Sequence, residues 1–145
     1  MPAACLFERD GGALHTGAQG SMECVVRNAS RGTVLADRVA VAATAVARMR
    51  GLLGTTALPL QRGLLLRPCR QVHSFFMRYA LDLVFIDRAD RVVATLPGFA
   101  RNRISPFVST AAAVLELPSG TLAETPAAAG DRLDIVPRVD GTPER

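Results

Sequence analysis

Cys69, His73 and Met77 recur at intervals of four in the middle of the chain, and Arg78 and Asp82 follow at the same interval. Thiolate, imidazole and thioether form the soft donor set that suits copper. Residues four apart on one strand are separated by about 13 Å, at ~3.3 Å per residue, too far to share an ion. Chelation by Cys69 and His73 therefore requires the chain to turn near Pro68-Cys69-Arg70, and Met77 meets the same constraint relative to His73. Without that turn Cys69 and Met77 are adaptable fillers of a core. A structural zinc site asks for four ligands, which this stretch does not offer. The enzymatic reading of the same residues is a Cys69–His73 nucleophile pair. Arg67 and Arg70 flank Cys69 and favour the thiolate, its reactive form. Such a pair needs an orienting third group, which Asp82 supplies only if folding carries it across. The structural use of Cys69, His73 and Met77 is the expectation, with no metal and no cofactor.

Arg78 and Asp82 flank Tyr79-Ala80, a connection between two strands. A carboxylate at the start of an apolar strand needs a partner, because an unpaired buried charge is costly. An ion pair between Arg78 and Asp82 that locks the turn is the plain expectation. The functional reading is that Arg78 presents its planar fork to a carboxylate or phosphate. His73, Arg48 and Arg70 would then share an anion-binding mouth with Arg78 and Asp82.

These residues sit among many short strands. Cys24–Arg27 and Thr33–Ala36 flank a turn-rich loop of hairpin length, and Val39–Ala42 is a third strand. Thr44 is placed to cap a helix over 45–53, in which Val46, Met49 and Leu53 recur on one face and after which Gly54 ends it. Beyond residue 62 the runs Gly63–Arg67, Val72–Met77, Leu81–Asp87, Arg91–Leu96, Ala112–Leu117 and Arg132–Val136 all read as β. Leu81–Ile86 is apolar on both faces, so both must be covered. Ser119–Glu124 forms one further helical turn, stopped by Pro126. The pattern predicts a mainly β, β-rich α+β domain: a small barrel-like antiparallel or mixed sheet with one or two short helices. Residues 24–137 form this single domain. Residues 1–23 read as a flexible leader, with Met22 an alternative start, and 138–145 as a fraying tail.

Composition narrows the function classes. All 17 basic residues are Arg, and the formal charge is +4. Arg, Ala, Gly and Pro share GC-rich codons, so a high-GC genome accounts for much of this bias. The charge is uneven: 62–103 holds eight Arg against Asp82, Asp87 and Asp90, whereas 104–145 is net acidic. The arginines are scattered, Trp is absent and aromatics are 5%, which argues against a nucleic-acid platform. No run approaches the ~20 apolar residues of a membrane span, and Glu8, Arg9 and Asp10 break up any signal peptide. A cytoplasmic protein, monomeric or weakly dimeric, is the expectation. Cys5, Cys24 and Cys69 are too few and too irregular for a disulfide framework.

Four ordered motifs resemble one family. Arg48-Met49-Arg50-Gly51-Leu52-Leu53 resembles its R-x-x-G-L-[ML] helix, and Gly63-Leu64-Leu65-Leu66 its G-M-L-F strand. Phe76-Met77-Arg78, with Leu81-Asp82-Leu83-Val84-Phe85-Ile86-Asp87, is similar to W-M-K…L-D-x-x-F-I-D. Val114-Leu115-Glu116-Leu117-Pro118-Ser119-Gly120, then Gly130-Asp131, resembles its closing L-E-L-P-A-G…G-D. The family is DUF192, widespread in bacteria and archaea, and the resemblance spans about residues 33–135. It implies a small barrel-like β domain and a positive charge at Arg78. It implies no settled activity, substrate or cofactor. Phe76 stands where the family has Trp, and Arg78 where it has Lys. The Met77–Asp82 interval lacks the Asn-Thr and Pro of the commoner form, and the C-x-x-x-H stretch resembles that of a subset.

The residues thus point to a non-enzymatic domain that binds a small anionic ligand or an extended peptide at a barrel mouth. An interaction module of an envelope or secretion system, acting through a sheet edge, is the second reading. A Cys69/His73-dependent enzyme is the third.

Overall fold

Leu64–Leu66, Leu81–Ile86 and Val114–Leu117 place apolar side chains on both faces of neighbouring strands, and the architecture follows from covering both. The computed structural model describes residues 4–5, 23–42, 58–75 and 77–139. Their strands are β1 (Ala4–Cys5), β2 (Glu23–Asn28), β3 (Thr33–Ala42), β4 (Arg62–Leu66), β5 (Val72–His73), β6 (Leu81–Ile86), β7 (Val92–Phe99), β8 (Ala113–Pro118) and β9 (Leu133–Pro137). One helical turn, α1 (Thr121–Glu124), precedes β9. The helix expected over 45–53, with Thr44, Arg48 and Gly54, lies outside the described residues, as does Phe76.

Seven strands form a curled mixed sheet, a half-barrel in the order β7-β6-β8-β4-β3-β2-β9. Only β3 and β4 run parallel, with Val39 opposite Gly63 and Ala42 opposite Leu66. Such a pair needs a crossover rather than a hairpin, and the chain between them supplies it. The outer strands meet at one end. Val92 donates its amide to the Asp131 carbonyl (2.8 Å), and Leu133 donates to that of Asp90 (2.8 Å), around the Arg91–Arg132 bridge. The barrel-like expectation is thereby met.

The inner face of the curl gathers Val26, Leu35, Val39, Leu65, Val84, Ile86, Leu115 and Leu117, and Leu122 from α1 fills one end. The outer face of β4, β6 and β8 carries Leu64, Leu66, Leu81, Leu83, Phe85 and Val114. It is covered by two excursions, 67–80 between β4 and β6, and 99–112 from the last residue of β7 to the start of β8. These contribute Cys69, Val72, Met77, Phe99 and Ala111 to a second core.

Three boundaries differ from the sequence expectation. Thr33–Ala36 and Val39–Ala42 are one ten-residue strand, in which Asp37 and Arg38 form a bulge opposite Val25 that shifts the register with β2 without ending the strand. Val72–Met77 supplies only two strand residues before the chain turns at Ser74–Arg78. β1, in the stretch read as leader, pairs antiparallel with β5.

Gly63 shows how closely the central strands approach. A Cβ there would lie 3.0 Å from the backbone oxygen of Glu116 and 3.2 Å from Leu117 Cδ2. The backbone oxygen cannot yield as a side chain would. Gly63→Ala is expected to destabilise the fold by about 1–3 kcal/mol, the usual range for overpacking, measured as a lowered urea midpoint.

A second constraint holds the β2–β3 turn to the segment that leads into β9. Asp131 Oδ2 accepts hydrogen bonds from Asn28 Nδ2 (3.0 Å), Arg31 Nε (2.7 Å) and the Ala128 amide (3.0 Å). The Asn28 and Arg31 bonds, in that order, are the main reasons its pKa falls from 3.8 to about 2. A carboxylate depressed in the folded state contributes stability that is complete above about pH 4. That contribution is lost as pH falls through about 2. Asp131→Asn is expected to remove this part of the acid transition, so wild type and variant should converge in stability towards pH 2. Parallel curves between pH 5 and pH 2 would contradict this origin.

Candidate functional site

The two excursions are held together by backbone groups and two buried serines. Val108 donates to the Arg70 carbonyl (3.0 Å), Ser105 to that of Val72 (2.8 Å) and Ser74 to that of Arg103 (2.9 Å). The segments therefore run antiparallel, with His73 opposite Ile104. Ser105 Oγ accepts from the Val72 amide (2.9 Å) and donates to the Pro106 carbonyl (3.0 Å). Ser74 Oγ accepts from the Arg103 amide (3.0 Å) and donates to the Ala100 carbonyl (2.6 Å). Both hydroxyls are buried and both use donor and acceptor, which is what makes a buried polar group affordable.

This zipper fixes His73. The bonds at Val72 and Ser74 bracket the His73–Ile104 pair, which makes it the non-hydrogen-bonded pair of an antiparallel ladder. His73's own N–H and C=O therefore point the other way, towards β1, where Ala4 is its partner. The His73 ring stacks on Phe75 with centroids 5.0 Å apart and planes at 28°. Its Nδ1 accepts from the Phe75 amide at 3.4 Å, a long bond, which leaves the proton on Nε2. Partial burial lowers the imidazole pKa below 6.5, so the ring is neutral at pH 7. Beside it Phe75 and Ile104 are 38% and 54% exposed.

The other sequence candidates disperse. Cys69 is buried in the second core, with its amide donating to the Ala112 carbonyl (3.1 Å) and its thiol to that of Gln71 (3.3 Å). Met77 is buried in the same core. Among the described residues no group of three His, Cys, Asp or Glu side chains is placed to hold a metal. Cys24, buried on the inner face, has its thiol pKa raised by desolvation, which the charge of Arg67 partly offsets.

Asp82 corrects one expectation. It is buried, and its partners are backbone amides rather than Arg78: Oδ1 accepts from Gly98 (2.9 Å) and Oδ2 from Leu122 (2.8 Å). Gly98 has φ +65, a backbone state that an L side chain rarely adopts. The carboxylate thus ties the β7 bulge to the first turn of α1 and seats Leu122 in the end of the curl. Arg78 is exposed and forms no ion pair among the described residues. Arg70 is half-buried, its Nε donating to the Ala111 carbonyl (3.0 Å). Arg48 lies outside the described residues.

Sequence reasoning did not single out Arg101, Arg103, Phe75 or Ile104, nor the serines that place them. One signal was available. The stretches 67–80 and 99–112 contain Arg67, Arg70, Arg78, Arg101 and Arg103 and no Asp or Glu. Arg67 pairs with Asp90 at 3.0 Å, whereas the other four form no ion pair among the described residues. The zipper sets the two acid-free segments that carry them side by side, together with exposed Phe75 and Ile104.

Comparison with known proteins agrees with this architecture. A protein of unknown function from Novosphingobium aromaticivorans DSM 12444 superposes with a TM-score of 0.64 at 21% identity, over 86% of this chain and 94% of that one. A putative transcription regulator from Sinorhizobium meliloti 1021 also gives 0.64, at 24% identity, over 82% of this chain and 98% of that one. At such identities the likeness is one of fold. No curated protein matches the chain. The DUF192 profile, described as Uncharacterized ACR, matches residues 26–135, which takes in the half-barrel from β2 to β9 together with both excursions. The chain belongs to the DUF192 family.

Proposed function

We propose that this domain is a non-enzymatic binding module, and that it captures an extended peptide bearing acidic side chains along β5. The observation that supports this most is the antiparallel docking of two acid-free segments that carry Arg70, Arg78, Arg101 and Arg103 together with exposed Phe75 and Ile104. Arginine suits the purpose, since its fork binds carboxylates in bidentate fashion and its plane rests on aromatic faces. The apolar side chains give the contact area, and the guanidinium groups select for negative charge. The His73 N–H and C=O lie on the side of β5 away from the zipper, where β1 pairs, so a strand that takes that place gains main-chain hydrogen bonds as well.

His73, Arg70 and Arg78 keep the ligand-contacting roles expected of them, Arg48 remains in the proposed set, and Arg101 and Arg103 are added. Asp82 acts at one remove, because both its oxygens are engaged in holding β7 and α1. No described helix is long and apolar enough to cross a membrane. Cys69 has no place in this reading as a nucleophile, since its thiol lies in the second core.

The test uses the acetylated, amidated pentapeptide Val-Glu-Val-Glu-Val and its Gln-containing counterpart, titrated into the full chain to millimolar concentration and followed by amide NMR. The Glu peptide is expected to shift His73, Phe75 and Ile104. It should bind at least fivefold more tightly than the Gln peptide, and weaken as salt screens the arginines. The double variant Arg101→Ser/Arg103→Ser should lose most of that preference while keeping the wild-type thermal midpoint. Equal affinity for both peptides would remove the anionic reading, and tighter binding of a single-stranded oligonucleotide would replace the peptide with nucleic acid.

A further inference from the structure

The edge of β5 already has an occupant. Ala4 pairs with His73 and Cys5 with Val72 in antiparallel register. The zipper fills the opposite side of β5, so an added strand has only the side where β1 lies. We infer that β1 is a built-in competitor for the peptide edge, a short internal strand that must leave before an external one can pair. This inference rests on the peptide reading given above and states how that site is regulated.

Three observations carry it. The first is geometric: the His73 N–H and C=O are turned away from Ile104 and towards β1. β1 and an external strand would need the same two groups. The second is length. β1 is two residues long, against five residue pairs between β2 and β9 and six between β6 and β8. So short a strand closes the edge without sealing it. The third is independence from the main fold. The seven-stranded sheet is complete without β1, and both faces of its inner strands are covered by residues 23–139. Release of β1 therefore exposes β5 and leaves the two cores intact.

The linkage has a stated size. Tethering gives β1 an effective concentration in the millimolar range, high enough for a weak contact to stay formed most of the time. If β1 covers the edge about nine-tenths of the time, an external peptide binds roughly tenfold more weakly than it would to a bare edge. An exposed strand edge invites chain-to-chain pairing, and a removable internal strand also protects against that.

The experiment keeps the full chain and changes only the ability of β1 to pair. Ala4→Pro with Cys5→Pro removes both amide donors and disfavours the ladder. In wild type the His73 amide is expected to exchange slowly with solvent. In the proline variant it should exchange faster, while Val72, bonded to Ser105 Oγ, stays protected. The same variant should bind the Val-Glu-Val-Glu-Val peptide roughly tenfold more tightly. Equal affinity for the two proteins, with His73 exchange unchanged, overturns the inference and leaves the peptide site standing. Faster His73 exchange without peptide binding to either protein overturns the peptide reading, and with it the role of β1 as competitor. Protection of His73 that rises with protein concentration also overturns it, by assigning the paired strand to a second copy of the chain.

Discussion

The structure depends on one constraint: β4, β6 and β8 are apolar on both faces. Curling the sheet covers one face, because the inner side chains of β2, β3, β6, β8 and β9 then meet each other. It cannot cover the other. That face bears Leu64, Leu66, Leu81, Leu83, Phe85 and Val114, and leaving side chains of this size in water would forfeit roughly 1.5–3 kcal/mol each. Among the described residues the chain covers it with 67–80 and 99–112, segments with little regular structure of their own. Irregular chain on an apolar surface must find partners for its buried amides and carbonyls. Ser74 and Ser105 provide them, with the ladder between Arg70 and Val108. The candidate site is therefore a consequence of burying the sheet's second face.

Why this lid, rather than the mouth of the curl, carries the candidate chemistry follows from what fills each. Leu122 occupies one end of the curl, and Asp82 fixes it there through the Leu122 amide. A carboxylate that accepts two backbone amides from separate elements is a structural fastener, and it has little left to offer a ligand. The lid differs on each count. Its inner side is apolar and its outer side bears arginines and exposed aromatic and aliphatic side chains. Its β5 edge turns the His73 N–H and C=O away from the zipper, to the side on which the two-residue β1 pairs. Packing and the proposed recognition thus fall on opposite sides of a single layer of chain.

Much of this was legible in the sequence, and the parts that were not share a reason. The doubly apolar run Leu81–Ile86 requires cover on both sides, and the structure supplies it. A buried carboxylate at Asp82 requires a partner, and it has two. The identity of those partners was hidden because both are backbone amides, at Gly98 and Leu122, which a reading based on side-chain types does not register. Arg78, four residues away, was the visible candidate and proved to be exposed. The division of β3 failed similarly: Asp37 and Arg38 break the apolar alternation as a bulge opposite Val25, and the strand runs on through them because both amides donate to the Gln61 carbonyl. Arg101 and Arg103 looked like part of a compositional excess. Only the antiparallel docking of two distant segments brings the acid-free stretch that carries them beside the one with Arg70 and Arg78.

That docking also changes how the arginine bias should be read. A genome that favours Arg codons places guanidinium groups throughout a chain, and most are neutralised or solvated where they fall. Arg31 lies against Asp131 and Arg67 against Asp90. The stretches 67–80 and 99–112 stand apart because they contain no acid at all, although the whole chain has 13. Codon bias explains the presence of arginine but not the absence of Asp and Glu from two stretches that fold against each other. A few carboxylates on the lid's outer face would fold as well, since exposed ion pairs contribute little and their loss costs little. Acid-free chain on both halves of one surface is thus a property of the surface, and it is the property that a partner rich in carboxylates would meet.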